Sequence, residues 1–371
     1  TAPPRRRTLI DRFIGRPATE RNETVATNTT PGPLELQSLF AEMLRNGCQS
    51  AVMEVSSHAI DQRRIAGTHF AGVAFTNLTQ DHLDYHLTME NYYQAKRKLF
   101  MPPQSPAAIN LDCPYGRRLV DEIKASGSST VLSFGSASDA DVRFSDERLS
   151  HDGTSFLLTY PGGADRLHIK LMGRHNIHNV LTAFSLAFLH GIPAHRAMAS
   201  LATAEPVRGR LERVRLPASP ASFFVDYAHT PDAIENVLKT LREITTGRLF
   251  IVFGAGGDRD RRKRPLMGRA AASLADGVIV TSDNPRSENP EAIIEEVLAG
   301  IRDYETESGK APQIQLMVEP DRRTAIRRAV LLADRAGDVV LIAGKGHETY
   351  QIFADHTDHF DDREELISWG S

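Results

Sequence analysis

The sequence predicts an α/β protein of two consecutive domains. The first is a central parallel-sheet domain with an antiparallel edge, and the second is a doubly wound, Rossmann-like domain. Three observations predict this. Beyond residue 217, short apolar runs alternate with helix-length amphipathic stretches, which is the pattern of βα units. Several apolar runs end in polar or glycine-rich turns: MEVSSH at 53–58, DYAH at 226–229, GAGGDRD at 254–260, SDNPR at 282–286 and GKGHE at 344–348. Open α/β sheets bind ligands at that edge. Around 141–171 the alternation gives way to longer strand-like runs that turn at Asp152-Gly153, the mark of a hairpin.

The elements follow in order. Residues 34–47 (LELQSLFAEMLRNG) have helical spacing and a glycine stop at Gly47. The apolar runs Ala51–Met53 and Ala71–Phe75 read as two buried strands, one ending in Glu54 and the other in Thr76-Asn77. Tyr92–Phe100 reads as a helix broken at Pro102-Pro103. Ala107–Leu111 and Thr130–Phe134 read as further strands, and Arg143–Tyr160 and Leu167–Leu171 as antiparallel ones. Asn179–His190 is an apolar helix ending at Gly191, and a shorter helix runs to about Ala202. The Pro/Ser-rich joint Leu216–Pro220 divides the chain into 1–216 and 217–371. After it come strand Phe223–Asp226, helix 231–243, strand Leu249–Phe253, helix 265–275, strand Gly277–Thr281, helix 290–302, strand 314–318, helix 321–335 and strand Val339–Ala343.

Composition narrows the function. The 371 residues are 41% hydrophobic, enough for sizeable cores in two or three domains. A net charge of −3, from 44 basic and 47 acidic residues, argues against a nucleic-acid-binding surface. The two cysteines, Cys48 and Cys113, form neither a disulfide framework nor a metal-ligand spacing, as expected of packing residues in a reducing cytosol. No apolar run approaches membrane-spanning length, so membrane insertion is not expected. TAPPRRRTLIDR is basic but has no apolar core, so it is not a secretory signal. The chain starts at Thr1 and soon enters what reads as the middle of a sheet, so a piece is expected upstream.

The densest chemistry lies between Glu54 and Lys96. Glu54, Asn77, Asp81, His82, Asp84 and His86 follow two predicted strands, and carboxylate, imidazole and amide converging at one sheet edge suit a hard cation with phosphate oxygens. Taken singly, each of these residues reads more readily as a solvated loop residue. Lys96 is flanked by Tyr92, Tyr93, Leu99 and Phe100, so it is either a partly desolvated amine, open to carbamate formation, or a snorkelling helix residue. Pro285 restricts the direction of Arg286, whose guanidinium could grip a carboxylate or sit on an ordinary turn. GAGGDRD lacks the Lys-Ser/Thr of a phosphate loop, and GKGHE is either a close backbone approach to a ligand or a tight turn. DYAH reads as a local turn hydrogen bond more readily than as a proton relay. Ser56-Ser57-His58 has no nucleophile-elbow glycines, so a serine triad is not supported.

Taken in order, TTP at 29–31, MEVSSHA at 53–59, TNLTQDHLDYH at 76–86, AKRKLF at 95–100, DYAHTPDA at 226–233, FGAGGDRDRRKRPLMG at 253–268, SDNPR and GKGHE resemble the Mur ligases of peptidoglycan synthesis. The resemblance spans the chain from about Asn28 onward and is nearest to those members that add meso-diaminopimelate. It implies that ATP phosphorylates a carboxylate of a UDP-N-acetylmuramoyl dipeptide and that the amino acid's amine attacks the acyl-phosphate. It implies Mg2+ held by Glu54, His82 and Lys96, with Lys96 as a carbamate (N6-carboxylysine), these three also being the catalytic set. Asn28, Thr29, Thr30, Ser56, Gln62 and Arg64 match positions that hold the UDP-muramoyl peptide. Asn77, Asn176, Arg210, Asp226 and His229 match nucleotide-facing positions. Arg259, Asp283, Asn284, Pro285, Arg286, Gly344 and Glu348 match the meso-diaminopimelate pocket. The resemblance also implies a cytoplasmic protein, expected to be a monomer.

One departure stands out. The family's N-terminal uridine-binding domain and its GTNGKT-type loop for the ATP phosphates have no match here. The chain is therefore expected to hold nucleotide poorly. Two readings stay open, an incomplete ligase and a non-catalytic homologue that binds muropeptide or amino acid. A metal hydrolase using Asp81, His82, Asp84 and His86 is a third, but it leaves DNPR and GKGHE without a role.

Overall fold

The computed structural model describes residues 29–79, 82–102, 105–127, 131–308 and 314–369. They form two compact units. The first comprises the described residues up to Glu147 with Ser155–Ile169 and His175–Ala204; the second comprises Arg148–Thr154, Lys170–Arg174 and the described residues from Glu205. Among the described residues no helix is long and apolar enough to cross a membrane.

The first sheet has six strands in the order β1 (Val73–Phe75), β2 (Ala107–Asn110), β3 (Val131–Gly135), β4 (Val142–Ser150), β5 (Gly153–Tyr160) and β6 (Gly163–Ile169). Strands β1 to β4 pair in parallel. Two-residue links at 151–152 and 161–162 then permit only antiparallel neighbours, so the expected antiparallel edge is present. Helices α1 (Pro33–Arg45), α2 (Ser57–Asp61), α3 (Leu83–His86), α4 (Met89–Arg97), α5 (Pro114–Ala125), α6 (Arg174–Leu189) and α7 (Ala194–Ala202) surround it. Side-chain caps start two of them: Ser56 Oγ accepts from Ala59 N at 3.2 Å, and Thr88 Oγ1 from Asn91 N at 3.1 Å. Helix α5 was not expected, although Leu119, Val120 and Ile123 carry helical spacing and are all buried.

One expected strand is corrected. Ala51–Met53 has no strand pairing, and Val52 is 92% exposed. An apolar run becomes a strand only when a neighbour takes its backbone groups. The run has no such neighbour among the described residues, where β1 is the end strand of its sheet.

The second sheet runs β11 (Gln315–Val318), β10 (Gly277–Val280), β9 (Leu249–Phe253), β12 (Val339–Ala343), β8 (Ser222–Asp226) and β7 (Glu212–Val214). All pairings are parallel except that of β7 with β8. Strand β7 precedes the Leu216–Pro220 joint, so residues 205–216 belong to this unit. Helices α8 (Pro231–Arg242), α9 (Lys263–Leu274), α10 (Pro290–Ser308) and α11 (Arg322–Leu332) alternate with the strands as predicted. The tail adds a hairpin, β13 (Tyr350–Ile352) and β14 (Thr357–His359), and helix α12 (Asp362–Trp369).

Strand periodicity explains the layering. Phe224, Ile251, Val278 and Leu341 face one core with residues of α8, α9 and α10; Phe223, Phe250, Ile279 and Val340 face another with residues of α11 and α12. Both faces are apolar, which is why these strands read as unbroken hydrophobic runs. The chain proceeds from β9 to β10 to β11, then returns to lay β12 between β9 and β8. The loops after β9, β10 and β12 therefore open beside a reversal of strand order, where such sheets bind ligands.

Candidate functional site

In the first unit the structure draws several expected residues into one network. Thr30 Oγ1 donates to Glu54 O at 2.9 Å and accepts from Ser56 N at 3.1 Å. Arg64 Nη1 donates to Thr30 O at 3.0 Å, while its Nε and Nη2 hold Gln62 Oε1 at 2.9 and 2.6 Å. Thr29 is exposed beside this network, and Asn28 and Asp81 lie outside the described residues. The Glu54 side chain is exposed, and Asn77 is exposed in the loop after β1.

His82 precedes α3 with φ 53°, a left-handed conformation. Its ring lies 4.9 Å edge-on from His58 and 5.9 Å from Tyr92. Lys96 Nζ lies 5.3 Å from the Tyr92 centroid, so Tyr92 is a shared neighbour of His82 and Lys96. Among the described residues no group of three or more His, Cys, Asp or Glu side chains is placed to hold a metal ion. Magnesium needs fewer, since one or two protein oxygens suffice when substrate phosphates and water complete its shell.

His86, read from sequence as part of a candidate cation site or as a solvated loop residue, is buried, shares a 2.9 Å hydrogen bond with Ser57 Oγ, and stacks on Tyr92 with ring planes 11° apart. Ser57 itself is 2% exposed, so this pair is structural, not a nucleophile. Burial pushes the imidazole below its usual value of 6.5, and His58 adds to the shift. Folding thus favours the neutral ring. That contribution is complete above about pH 6.5 and is lost as pH falls through the lowered folded value. His86→Gln keeps a polar partner for Ser57 but removes the titration. It is expected to lessen the drop in denaturation midpoint between about pH 7.5 and about pH 5. Equal drops in the two proteins would exclude His86 as a source of acid sensitivity.

The nucleotide-facing candidates make these contacts. Asn176, in α6, accepts from Asn179 Nδ2 at 3.1 Å. In the second unit Asp226 accepts from Leu211 N at 2.6 Å and Ala228 N at 2.8 Å. Burial raises its pKa, and those two amides oppose the rise. His229 Nδ1 donates to Tyr227 O at 2.7 Å, so DYAH closes as the expected turn and leaves Nε2 as the acceptor. Arg210 lies over the Tyr227 ring at 5.0 Å.

The loops after β9, β10 and β12 build the densest polar constellation of the second unit. Arg286, at φ 53°, directs Nη1 to Gly257 O at 2.8 Å and to Asn284 O at 3.4 Å; its Nε and Nη2 have no hydrogen-bond partner among the described residues. Asn284 Nδ2 donates to Glu348 Oε2 at 2.9 Å. Lys345, missed from sequence, is wholly buried, with Nζ 3.0 Å from Asn284 Oδ1, 2.8 Å from Tyr350 O and 3.2 Å from Asp283 Oδ1. Burial depresses its pKa and Asp283 opposes that. The contact to Asp283 is an ion pair that is poorly directed as a hydrogen bond, and Oδ1 of Asp283 is buried with no other partner. Such an oxygen is costly unless a ligand completes it.

The glycine-rich loop after β9 supports this constellation by packing. A Cβ on Gly257 would lie 1.8 Å from Pro285 O, and Gly257 N donates to Asn284 O at 2.9 Å. Asp258 accepts from Ser287 Oγ at 2.6 Å, and buried Arg264 forks onto Glu288 at 2.7 and 2.9 Å. Arg259 is exposed on the same loop. Gly344, at φ 115°, brings the backbone close to Asp283, where a Cβ would meet Oδ2 at 3.2 Å. Beneath lie Arg322 and Asp362, which the sequence did not single out. Both are fully buried and paired at 2.8 Å, and Arg322 also donates to Ala343 O at 2.9 Å and Ser282 O at 3.4 Å.

Comparison with known proteins gives a consistent result. The family model described as the Mur ligase middle domain matches residues 8–187. The model described as the Mur ligase glutamate ligase domain matches residues 209–346. A UDP-N-acetylmuramoyl-L-alanyl-D-glutamate–2,6-diaminopimelate ligase of Synechococcus sp. (strain WH7803) is 45% identical over 367 residues, covering 96% of this chain and 70% of the relative. One from Geobacter metallireducens is 44% identical over 358 residues, covering 92% and 69%. A solved structure of a ligase with the same name superposes with a TM-score of 0.69 at 35% identity, covering 94% of this chain and 70% of the other.

Proposed function

The chain belongs to the Mur ligase family, and from that premise we propose that it is of the branch that joins meso-diaminopimelate to UDP-N-acetylmuramoyl-L-alanyl-D-glutamate. One observation carries the reading: the loops after β10 and β12 set donors and acceptors side by side. Arg286 and Asn284 Nδ2 offer hydrogen to a carboxylate, while Glu348, with the Asp283 carboxylate behind it in its ion pair with Lys345, supplies negative charge that suits an ammonium. The distal end of diaminopimelate carries both groups. Lysine carries an ammonium alone and would leave the guanidinium without its partner.

The remaining roles follow from the same reading. Thr30, Ser56, Gln62 and Arg64, already joined by hydrogen bonds, would hold the muramoyl peptide, a role that Thr29 and Asn28 would share. Asn77, Asn176, Arg210, Asp226 and His229 would face the nucleotide. Magnesium would arrive with the phosphates it neutralises, held by Glu54, His82 and Lys96 as its carbamate. The ion supplies charge neutralisation for the acyl-phosphate. Arg259, Pro285 and Gly344 would shape the amino-acid pocket, and the reaction belongs in the cytoplasm, where ATP and the UDP-linked peptide occur.

A second reading is a homologue that binds the amino acid without ligating it. The purified chain, supplied with ATP, Mg2+, the UDP-dipeptide and either amino acid, separates the two. UDP-tripeptide containing meso-diaminopimelate, with L-lysine used at least about tenfold less well, supports the ligase. Binding of meso-diaminopimelate without product supports the second reading. Preference for L-lysine sinks the substrate assignment, and tight ATP binding contradicts the expectation that the chain holds nucleotide poorly.

A further inference from the structure

The Asn284 side chain sits between opposite demands. One end of its amide meets two donors, Lys345 Nζ at 3.0 Å and Ile352 N at 3.0 Å. The other end meets the Glu348 carboxylate at 2.9 Å. Two donors converging on one atom require the carbonyl oxygen there, and a carboxylate opposite requires the amide nitrogen. Without the lysine, the amide oxygen would keep a single donor, Ile352 N, opposite the Glu348 carboxylate. Lys345 also lies 4.0 Å from Glu348 Oε2, so one ammonium neighbours both groups.

The ammonium is itself anchored from outside that pair. Tyr350 O accepts from it at 2.8 Å, and Asp283 Oδ1 lies 3.2 Å away. Gln351 Nε2 holds Asp283 O at 2.8 Å. The tail hairpin strand β13 thus supplies the carbonyl that locates the lysine, and its last residue supplies the second donor to Asn284. No ligand atom needs to reach Lys345, because its surroundings close over it completely.

We infer that Lys345 is a positioning residue that fixes the polarity of the Asn284 amide, turning its N–H toward the amino-acid pocket and Glu348. The inference rests on the substrate reading above and extends it. The pocket presents an amide donor for a ligand carboxylate beside a carboxylate acceptor for a ligand ammonium. The second N–H of Asn284 has no partner among the described residues and is the donor a carboxylate would use. Lys345 acts through Asn284, so its effect on binding disappears once Asn284 is gone. A lysine that merely supported the fold would act independently of Asn284.

Calorimetric titration of the full chain with meso-diaminopimelate and with L-lysine tests this. Asn284→Asp keeps an oxygen where Lys345 and Ile352 N converge and puts a second oxygen where the donor was. It is expected to bind meso-diaminopimelate at least about tenfold more weakly. Lys345→Met is expected to lose binding to a similar extent, about tenfold, and to add less than about twofold to the loss of Asn284→Ala in the double variant. Binding by Asn284→Asp equal to that of the parent overturns the inference. A Lys345→Met loss that multiplies fully with that of Asn284→Ala also overturns it. If Lys345→Met does not fold, the Asn284→Asp result decides. Absence of binding by the parent chain sinks the substrate reading and this inference together, whereas parental binding with unaffected variants sinks the inference alone.

Discussion

Arg322→Met is expected to destabilise the second unit by about 3–5 kcal/mol, the cost of leaving a buried charge without its partner. Asp362, its partner, is fully buried and paired with it through two contacts of 2.8 Å. Methionine fills similar volume but leaves that carboxylate in an apolar layer with the Ala343 and Ser282 carbonyls deprived of a donor. The sole tryptophan, Trp369, ends the helix that Asp362 begins, so its fluorescence reports the relevant transition. Urea denaturation followed at that residue should show the loss as a lowered midpoint. The double variant Arg322→Met/Asp362→Leu should recover much of it, because an ion pair removed whole leaves no orphan charge. A single variant as stable as the parent would mean that the pair contributes nothing net.

Arg286→Ala is expected to leave folding nearly intact and to weaken use of meso-diaminopimelate by about 1–3 kcal/mol, roughly 5- to 150-fold. Its backbone N–H is fixed to Ile352 O at 3.0 Å whatever the side chain, so the loop should keep its course. What is lost is a fork whose Nε and Nη2 are not engaged elsewhere among the described residues. Arg286→Lys is expected to be little better than alanine, since an ammonium does not reproduce bidentate contact with a carboxylate. Binding of meso-diaminopimelate and of L-lysine should be compared for each variant. A loss equal for both amino acids would remove Arg286 from the specificity assignment.

The strands of the second unit were legible because both faces of Leu249–Phe253 and Val339–Ala343 are buried and leave uninterrupted apolar runs. Ala51–Met53 has the same composition yet forms no strand, because composition does not report whether a neighbour is present to pair. The loops after β9, β10 and β12 were legible as motifs, and Asn284, Arg286, Gly344 and Glu348 lie in one polar constellation. Lys345, Arg322 and Asp362 were not legible, since charged residues normally signal surface. Arg322 and Asp362 lie 40 residues apart and Lys345 and Asn284 61, and other partners are backbone carbonyls, which leave no trace in side-chain patterns. His86 was hidden likewise, its partner Ser57 lying 29 residues upstream.

The contact between Gly257 and Pro285 makes the loops after β9 and β10 behave as one body. With the Asp258–Ser287 and Arg264–Glu288 bonds added, neither loop can shift without carrying the other. Selection for a different amino acid is then not confined to the residues that would touch it. A change at 256–258 or at Arg264 re-aims Arg286 from behind, so relatives could diverge in preference while keeping SDNPR unchanged. Swapping the short motif alone between two members of the family would transplant the letters without the aim.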